Sequence, residues 1–278
     1  MYSKPLIGDY VTLYGICIAI GILVCILALR WLGKKSNVDK KFLDFVEING
    51  YISILVGFFS AALFQAFYDY LESGEFNLFN SGITFIGGLI GGVATFLTIS
   101  AIKRKQLTGK IVDILPIAPV CITVAHGFGR IGCFFAGCCG DAFANPDDLL
   151  YFLAMKFPSG IQYPVQLFEA FVLFALAGVI TWLILKKDFK YGFVIYLPVY
   201  GIWRFFIEYV RGDERGALIP GLTPSQFLSI IMVLGTVPVY YLIKYLLKNR
   251  NKSNVIIGEN SENKQIKDKY QIFILLFL

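Results

Sequence analysis

About seven runs of roughly 20 apolar residues follow one another along the chain, and this repetition constrains the fold more than any other feature. A helix of that length crosses the hydrocarbon core of a bilayer and satisfies its own backbone hydrogen bonds there. The sequence therefore predicts an all-α, polytopic membrane protein. The predicted spans are residues 10–32, 43–70, 79–102, 111–138, 162–185, 191–211 and 223–247.

Composition excludes an ordinary soluble domain. Hydrophobic residues make up 57% of the 278 residues, charged residues make up 16%, and the mean hydropathy is +0.68. The net charge of +6 raises the question of nucleic-acid binding, but the basic residues lie in short loops between apolar runs. Membrane topology explains that distribution, so we predict no nucleic-acid partner. The first run is followed by no small-residue cleavage pattern, and we expect it to be an uncleaved span.

Lysine and arginine are distributed unevenly between alternate loops. Nineteen of the 25 basic residues lie in the loops after the first, third and fifth spans and in the carboxyl-terminal tail. The positive-inside rule therefore predicts an outward amino terminus and a cytoplasmic carboxyl terminus. We assign residues 1–248 to a membrane domain. Residues 249–278 are rich in Asn, Lys, Ser and Glu, and we predict a disordered cytoplasmic tail there.

Four ionisable side chains stand out inside the predicted spans, where each costs about 2.5–3.5 kcal/mol on insertion scales. They are Arg130, Glu169, Arg204 and Glu208. The predicted topology places all four toward the outward end of their helices. Arg204, Glu208 and Arg211 are spaced i, i+4 and i+7 and share one helical face. One interpretation is a pair of salt bridges, Arg130 with Glu169 and Arg204 with Glu208. The other is an anion site, because guanidinium groups bind phosphate bidentately.

Glycine recurs at the same predicted depth in the third and fourth spans. Small residues let helix backbones approach closely, so we favour helix packing over direct ligand contact for these positions. Close packing also helps to form a rigid pocket. The glycines are Gly87, Gly88, Gly91, Gly92, Gly127, Gly129 and Gly132.

One string, HGFGRIGCFFAGCCGD at residues 126–141, resembles the signature of the prolipoprotein diacylglyceryl transferase family. Other segments match the same family in order, so the resemblance covers nearly the whole chain. They are LYG at 13–15, GGLIGG at 87–92, IAP at 117–119, YPVQLFE at 163–169, YGIWRFFIEYVRGD at 200–213 and LTPSQFLSI at 222–230.

The resemblance implies a multi-pass enzyme of the bacterial cytoplasmic membrane. It would move the diacylglyceryl group of phosphatidylglycerol onto the lipobox cysteine of a preprolipoprotein signal peptide, with no cofactor. Arg130 and Arg204 would hold the lipid phosphate, and Glu169 and Glu208 would orient them. The expected catalytic residues are Arg130, Arg204, Glu208, Tyr200 and His126. The expected substrate-binding residues are Tyr14, Gly87, Gly88, Gly137, Gln166, Glu169, Arg211 and Gln226.

The chain departs from the family pattern at four places. The family histidine before GGLIGG is Ile86 here, the asparagine after the GRxG string is Cys133, and the histidine that opens the YPVQLFE segment is Tyr163. The arginine expected in the second span is absent from residues 58–64. His126, the single histidine, lies one turn before Arg130. It is either a substitute base or a hydrogen-bonded packing residue.

Six cysteines are present, and three of them, Cys133, Cys138 and Cys139, cluster after the GRxG string. Three interpretations stay open: small packing residues, a disulfide, or soft-metal ligands together with His126. The spacing matches no strong zinc pattern, so we assign no metal. The cluster also keeps two functional alternatives open, which are a transferase-like paralogue with a thiol redox role and a non-catalytic lipid-binding protein.

Overall fold

A computed structural model describes residues 11–74, 76–78, 84–140, 142–157, 159–211 and 221–277, with no side chains described for residues 72, 85 and 251–277. The start of the third predicted span (79–83), residue 10 and the motif positions 141, 212 and 213 lie outside these residues. The helices are α1 (Leu13–Lys35), α2 (Lys40–Ser73), α3 (Phe85–Lys103), α4 (Ile111–Ile114), α5 (Ala118–Ala136), α6 (Val165–Lys187), α7 (Gly192–Val210) and α8 (Pro224–Phe277).

All of these helices except α4 are long and apolar enough to cross a membrane, which gives seven candidate spans in the described part of the chain. The predicted all-α, polytopic membrane fold is therefore confirmed. α1 begins where the Thr12 hydroxyl accepts a hydrogen bond from the Gly15 N–H, at 3.1 Å. α2 begins in the same way, since the Asp39 carboxylate accepts from the Phe42 N–H.

The predicted fourth span, residues 111–138, is wrong at its amino-terminal end. The structure divides it into the short α4 and the span α5, because Pro116 and Pro119 interrupt the helix between them. Proline lacks a backbone N–H and is tolerated in the first turn of a helix, which is where Pro119 lies in α5. α5 ends at Gly137, whose φ of 71° is left-handed.

A small β-hairpin follows α5 and was not predicted. Strand β1 (Met155–Phe157) pairs antiparallel with β2 (Gly160–Gln162), and a bridge from Phe143 to Gln162 extends the pairing. The hairpin leads directly into α6. It therefore belongs to the end of the bundle where α5 stops and α6 begins.

The bundle has two parts. In one part α1 packs against α5, α5 against α6 and α7 against α8, and in the other α2 packs against α3. The principal core lies among α1, α5, α6 and α7. Its buried members are Leu32, Ile117, Val120, Cys121, Leu173, Leu176, Ala177, Ile180, Ile184, Tyr196 and Tyr200.

The loops rich in lysine and arginine share one end of the bundle, which we call the basic end. A cavity of about 510 Å³ there is lined by residues from the α1–α2, α3–α4 and α6–α7 loops and from α8. Beside this cavity the Arg250 guanidinium group donates two hydrogen bonds to the Asp113 carboxylate, with N···O distances of 3.0 and 2.8 Å. The common end agrees with the predicted alternation of the loops, and the direction in which the termini face stays a prediction.

Helix α8 continues to Phe277, beyond the apolar span that ends at Arg250. The backbone is thus helical over residues whose composition predicts disorder. Their side chains lie outside the described residues. The division into a membrane domain at 1–248 and a tail at 249–278 stays a prediction.

Candidate active site

The buried carboxylate of Glu169 is the hub of one polar cluster. Glu169 lies in the second turn of α6, and its Oε1 atom is 2.9 Å from Nη2 of Arg130 on α5. The Tyr200 hydroxyl on α7 donates a hydrogen bond of 2.6 Å to the same oxygen. Three helices therefore converge on one carboxylate oxygen, at the end of the bundle opposite the basic end. We call this the site end.

The carboxylate of Glu208 is the hub of a second cluster. Its Oε2 atom lies 2.8 Å from Nη1 of Arg204 and 3.8 Å from Nε of Arg211. The Thr223 hydroxyl donates to its Oε1 atom at 2.9 Å. Arg204 also donates from Nη2 to the Ser225 hydroxyl at 2.8 Å. The Arg204 to Glu208 contact is close enough for an ion pair but lacks hydrogen-bond geometry, so we treat it as electrostatic.

The two clusters form one electrostatic unit. The Glu169 carboxylate interacts with the charges of both Arg130 and Arg204, and Arg204 interacts with Arg130 and Glu208. The Arg130 Nε–H is buried without a hydrogen-bond partner in the part of the chain that the structure describes. Both predicted salt bridges are therefore confirmed. Each guanidinium group contacts its own carboxylate, and the charge of Arg204 also acts on Glu169, so the two arginines are coupled electrostatically.

His126 belongs to this unit as well. Its Nε2 atom is 3.5 Å from the Tyr200 hydroxyl oxygen and 3.9 Å from Oε1 of Glu169, and its ring meets the Tyr200 ring edge to face. The imidazole is partly exposed, at 28% of its side-chain surface. A neutral imidazole in this position offers one acceptor nitrogen, so the geometry allows proton transfer.

Three other predicted site residues surround the cysteines after α5. Gln166 donates to the Cys138 carbonyl oxygen at 2.8 Å, and Gln166 and Gly137 line a small cavity of about 40 Å³. Tyr14 on α1 packs across Gly132 of α5 and interacts electrostatically with Arg130. These residues hold the site end together, and contact with a substrate stays a prediction for each.

Gln226 stabilises the start of α8. Its side-chain oxygen accepts from the Thr223 N–H at 3.1 Å, and its own N–H donates to the Thr223 hydroxyl at 3.3 Å. This reciprocal pair is a capping box, with Pro224 in the first helical position. Sequence reasoning missed Thr223 and Ser225, which contact Glu208 and Arg204 directly. The Thr-Pro-Ser-Gln pattern of a capped helix start was the signal that could have found them.

The family model for prolipoprotein diacylglyceryl transferase matches residues 6–242. The chain belongs to this family. A protein of Staphylococcus aureus (strain bovine RF122 / ET3-1) named phosphatidylglycerol–prolipoprotein diacylglyceryl transferase is 33% identical over 248 residues, which cover 84% of this chain and 85% of the relative. A Clostridium perfringens protein named phosphatidylglycerol–prolipoprotein diacylglyceryl transferase 2 is 30% identical over 245 residues, or 86% and 93% of the two chains.

The glycines of the family's GGLIGG segment lie between α2 and α3. A Cβ atom added to Gly87 would lie 2.6 Å from Cβ of Phe64, and one added to Gly88 would lie 3.3 Å from Cβ of Ala61. Close helix packing, the favoured interpretation, is confirmed for both. A role for Gly87 and Gly88 in substrate binding stays a prediction.

The structure shows the surroundings of two residues that depart from the family pattern, Ile86 and Tyr163. Ile86, at the position of the family histidine, is 44% exposed on α3. Tyr163 donates its hydroxyl hydrogen to Asp148 at 2.9 Å, and desolvation together with this carboxylate raises the pKa of Tyr163. A neutral phenol has no basic nitrogen, and the Tyr163 hydroxyl hydrogen is already donated to Asp148, so Tyr163 cannot replace a histidine base near pH 7.

Proposed function

We propose that this chain transfers the diacylglyceryl group of phosphatidylglycerol to the lipobox cysteine thiol of a prolipoprotein at the outward face of the bacterial cytoplasmic membrane. The observation that carries the proposal is the shared unit of Arg130, Glu169 and Arg204 at the site end. Membership of the family and the names of the relatives supply the two substrates.

The reaction sets a clear electrostatic demand. The acceptor sulfur attacks the diacylglyceryl carbon next to the phosphate oxygen, so a C–S bond forms and a C–O bond breaks. The electron pair of the broken bond leaves on that oxygen as glycerol phosphate. The phosphodiester carries one negative charge, and the phosphomonoester that leaves carries up to two near neutral pH. Charge therefore increases on the phosphate in the transition state, where fixed cations stabilise it most.

Arg130 and Arg204 meet this demand. Each guanidinium has five N–H donors in a planar fork that matches phosphate oxygens. Glu169 on α6 holds the Arg130 guanidinium, and Glu208 holds Arg204 from one turn further along α7. Among the described residues the Arg130 Nε–H has no partner, so it is one donor ready for a phosphate oxygen. Neither cavity described above is lined by the two arginines. Phosphate binding therefore opens the ion pairs in part, and the anion replaces contacts to the carboxylates.

The thiol proton needs an acceptor, because Ile86 replaces the family histidine. We assign that role to His126, whose ring lies within the same unit and is partly exposed. Its Nε2 atom, unprotonated in the neutral imidazole, takes the thiol proton, and the edge-to-face contact with the Tyr200 ring orients the imidazole. Arg130, one turn further along α5, favours the thiolate that results.

Purified full-length chain, mixed with phosphatidylglycerol and a lipobox peptide, tests the proposal. We expect a thioether-linked diacylglyceryl peptide and one glycerol phosphate per product, both measured by mass spectrometry. A Staphylococcus aureus relative assayed in parallel provides the positive control. Binding of lipid with no covalent product, while the control is active, would contradict the proposal and favour a non-catalytic lipid binder.

The same assay separates transfer from a thiol redox role. Cys138 and Cys139 lie outside the arginine unit, so a chain with both changed to serine should retain most of the transfer rate. Growth of a transferase-depleted bacterial strain gives the cellular counterpart. Rescue by the native chain and failure by Arg130→Ala support the proposal, whereas rescue by both chains would show that the arginine site is not required.

A further inference from the structure

The three cysteines after the GRxG string converge in space. Cys133 lies in the last turn of α5, the left-handed Gly137 reverses the chain, and Cys138 and Cys139 fold back toward the helix. The sulfur atoms of all three lie within 4.8 Å of one another. His126 lies instead with Glu169 and Tyr200, so the interpretation that joined His126 to the cysteines as a fourth ligand is wrong.

The backbone at Cys139 favours a functional explanation over simple packing. Its φ of 63° is left-handed, a conformation that costs a residue with a side chain about 1–2 kcal/mol. The other described non-glycine residues with positive φ are Asn37 and Asp188, residue types that tolerate the conformation through local hydrogen bonds. A cysteine has no such compensation. The strained turn brings its sulfur toward the other two.

We propose that Cys133, Cys138 and Cys139 hold one soft d¹⁰ metal ion, Cu⁺ or Zn²⁺, through three sulfur atoms. Thiolates are the ligands that select these ions. With metal–sulfur bonds of about 2.3 Å, a trigonal site has sulfur atoms about 4 Å apart. The described separations lie within 4.8 Å, so rotations about the Cα–Cβ bonds bring the sulfurs to that distance. Three sulfurs complete a trigonal Cu⁺ site, and Zn²⁺ adds a water.

Access and charge also suit a metal ion. Cys138 is exposed, whereas Cys133 and Cys139 are half-buried, so an ion has an entry path and a partly dry site. Each thiol that binds releases its proton to solvent. The positive charges of Arg130 and Arg211 act on the Cys139 sulfur, which offsets the net negative charge of a trithiolate complex. The site is therefore distinct from the arginine unit but adjoins it through Arg130.

Metal titration of the full-length chain in detergent tests the site. The chain is reduced with a phosphine and titrated separately with Cu⁺, Zn²⁺ and Cd²⁺ against a chelator of known affinity. We expect one ion per chain and sulfur-to-cadmium charge-transfer absorption. Cys138→Ser should weaken binding at least tenfold, since it removes one of three ligands. Cys25→Ser, the same change at a thiol outside the cluster, should leave binding unaltered.

Three outcomes would overturn the proposal. One is a native chain that keeps no ion against the chelator, a result that requires no variant to fold. Another is equal binding by the native chain and Cys138→Ser, which indicates adventitious metal. The third is a disulfide within the cluster after anaerobic purification, found by alkylation and mass spectrometry, which indicates a redox pair. Cys139→Ser provides a second variant, and gel filtration of each variant shows that it is folded.

Discussion

Replacing Arg204 by lysine tests the planar geometry of the guanidinium group separately from its positive charge. Arg204 uses two nitrogen atoms at once, Nη1 at 2.8 Å from Glu208 and Nη2 at 2.8 Å from the Ser225 hydroxyl. Lysine keeps the charge beside Glu208, so that carboxylate is not left buried and alone. Its three N–H donors radiate from one atom, so lysine cannot reproduce the planar fork that reaches the carboxylate and the hydroxyl from two separate nitrogens. Arg204→Lys should therefore fold and transfer poorly.

The expected loss follows from the contacts that lysine cannot make. Removing one fixed donor to a developing negative charge costs about 2.7–4 kcal/mol, or 10²–10³ in rate. We expect kcat/KM for diacylglyceryl transfer to fall by about that factor. Arg204→Ala differs, because it leaves Glu208 with Arg211 at 3.8 Å and should destabilise the protein by about 3–5 kcal/mol. The lysine variant is thus the informative one.

The basic end of the bundle offers a matched control. Arg250 forks onto Asp113 with two nitrogen atoms, and this pair lies at the basic end. Arg250→Lys makes the same chemical change at a similar ion pair, so its transfer rate should stay within about twofold of the native rate, a difference worth less than about 0.5 kcal/mol. Both variants are assayed by peptide mass with phosphatidylglycerol and a lipobox peptide. A native rate for Arg204→Lys, or an equal loss for Arg250→Lys, would refute the reasoning.

Three further predictions concern residues around this unit. Tyr200→Phe removes a hydrogen bond to a buried carboxylate, worth about 1.5–3 kcal/mol, and should slow transfer about 10- to 100-fold in the same assay. His126→Gln should slow transfer by about 10²–10⁴, with a smaller defect at high pH, where the thiol ionises unaided. Adding Ile86→His to that variant should restore part of the rate. A defect that does not change with pH would refute this prediction. Gly91→Ala makes a Cβ that overlaps Ser60 and should lower stability by about 1–3 kcal/mol in thermal unfolding, whereas Gly50→Ala, with no atom within 4 Å of the new Cβ, should not.

Sequence predicted the spans well because about 20 apolar residues are a strong signal in lipid. The prediction was wrong where prolines interrupt an apolar run, and it missed a short hairpin. Pro116 and Pro119 stand inside an apolar run, and hydropathy outweighed them although proline marks helix starts. The hairpin of Met155–Phe157 and Gly160–Gln162 was missed because three-residue strands are too short to show alternation.

The two ion pairs of the candidate site were predictable from the sequence, whereas the hydrogen bonds and turns around them were not. Charge in a span is expensive, so Arg130 and Arg204 stood out, and their carboxylate partners were correctly paired. The place of Gln226 in a capping box rather than beside the arginines depends on where α8 begins. The convergence of the cysteines depends on two left-handed residues, Gly137 and Cys139, and spacing alone does not encode that reversal.

The contrast between two helix contacts in this chain supports the proposal that the buried charges serve diacylglyceryl transfer. α2 and α3 meet through glycines and small polar groups, with Asn49 donating to Ser100 at 3.0 Å and Ser60 to a backbone oxygen at 2.9 Å. α5, α6 and α7 meet through Arg130, Glu169 and Tyr200, although a buried ion pair is often no more stable than well-packed apolar residues. The α2–α3 contact thus needs no buried charge, whereas the contact among α5, α6 and α7 carries the desolvation cost of buried charged groups. The charged contact lies at the site end, where an anionic lipid headgroup would need those charges.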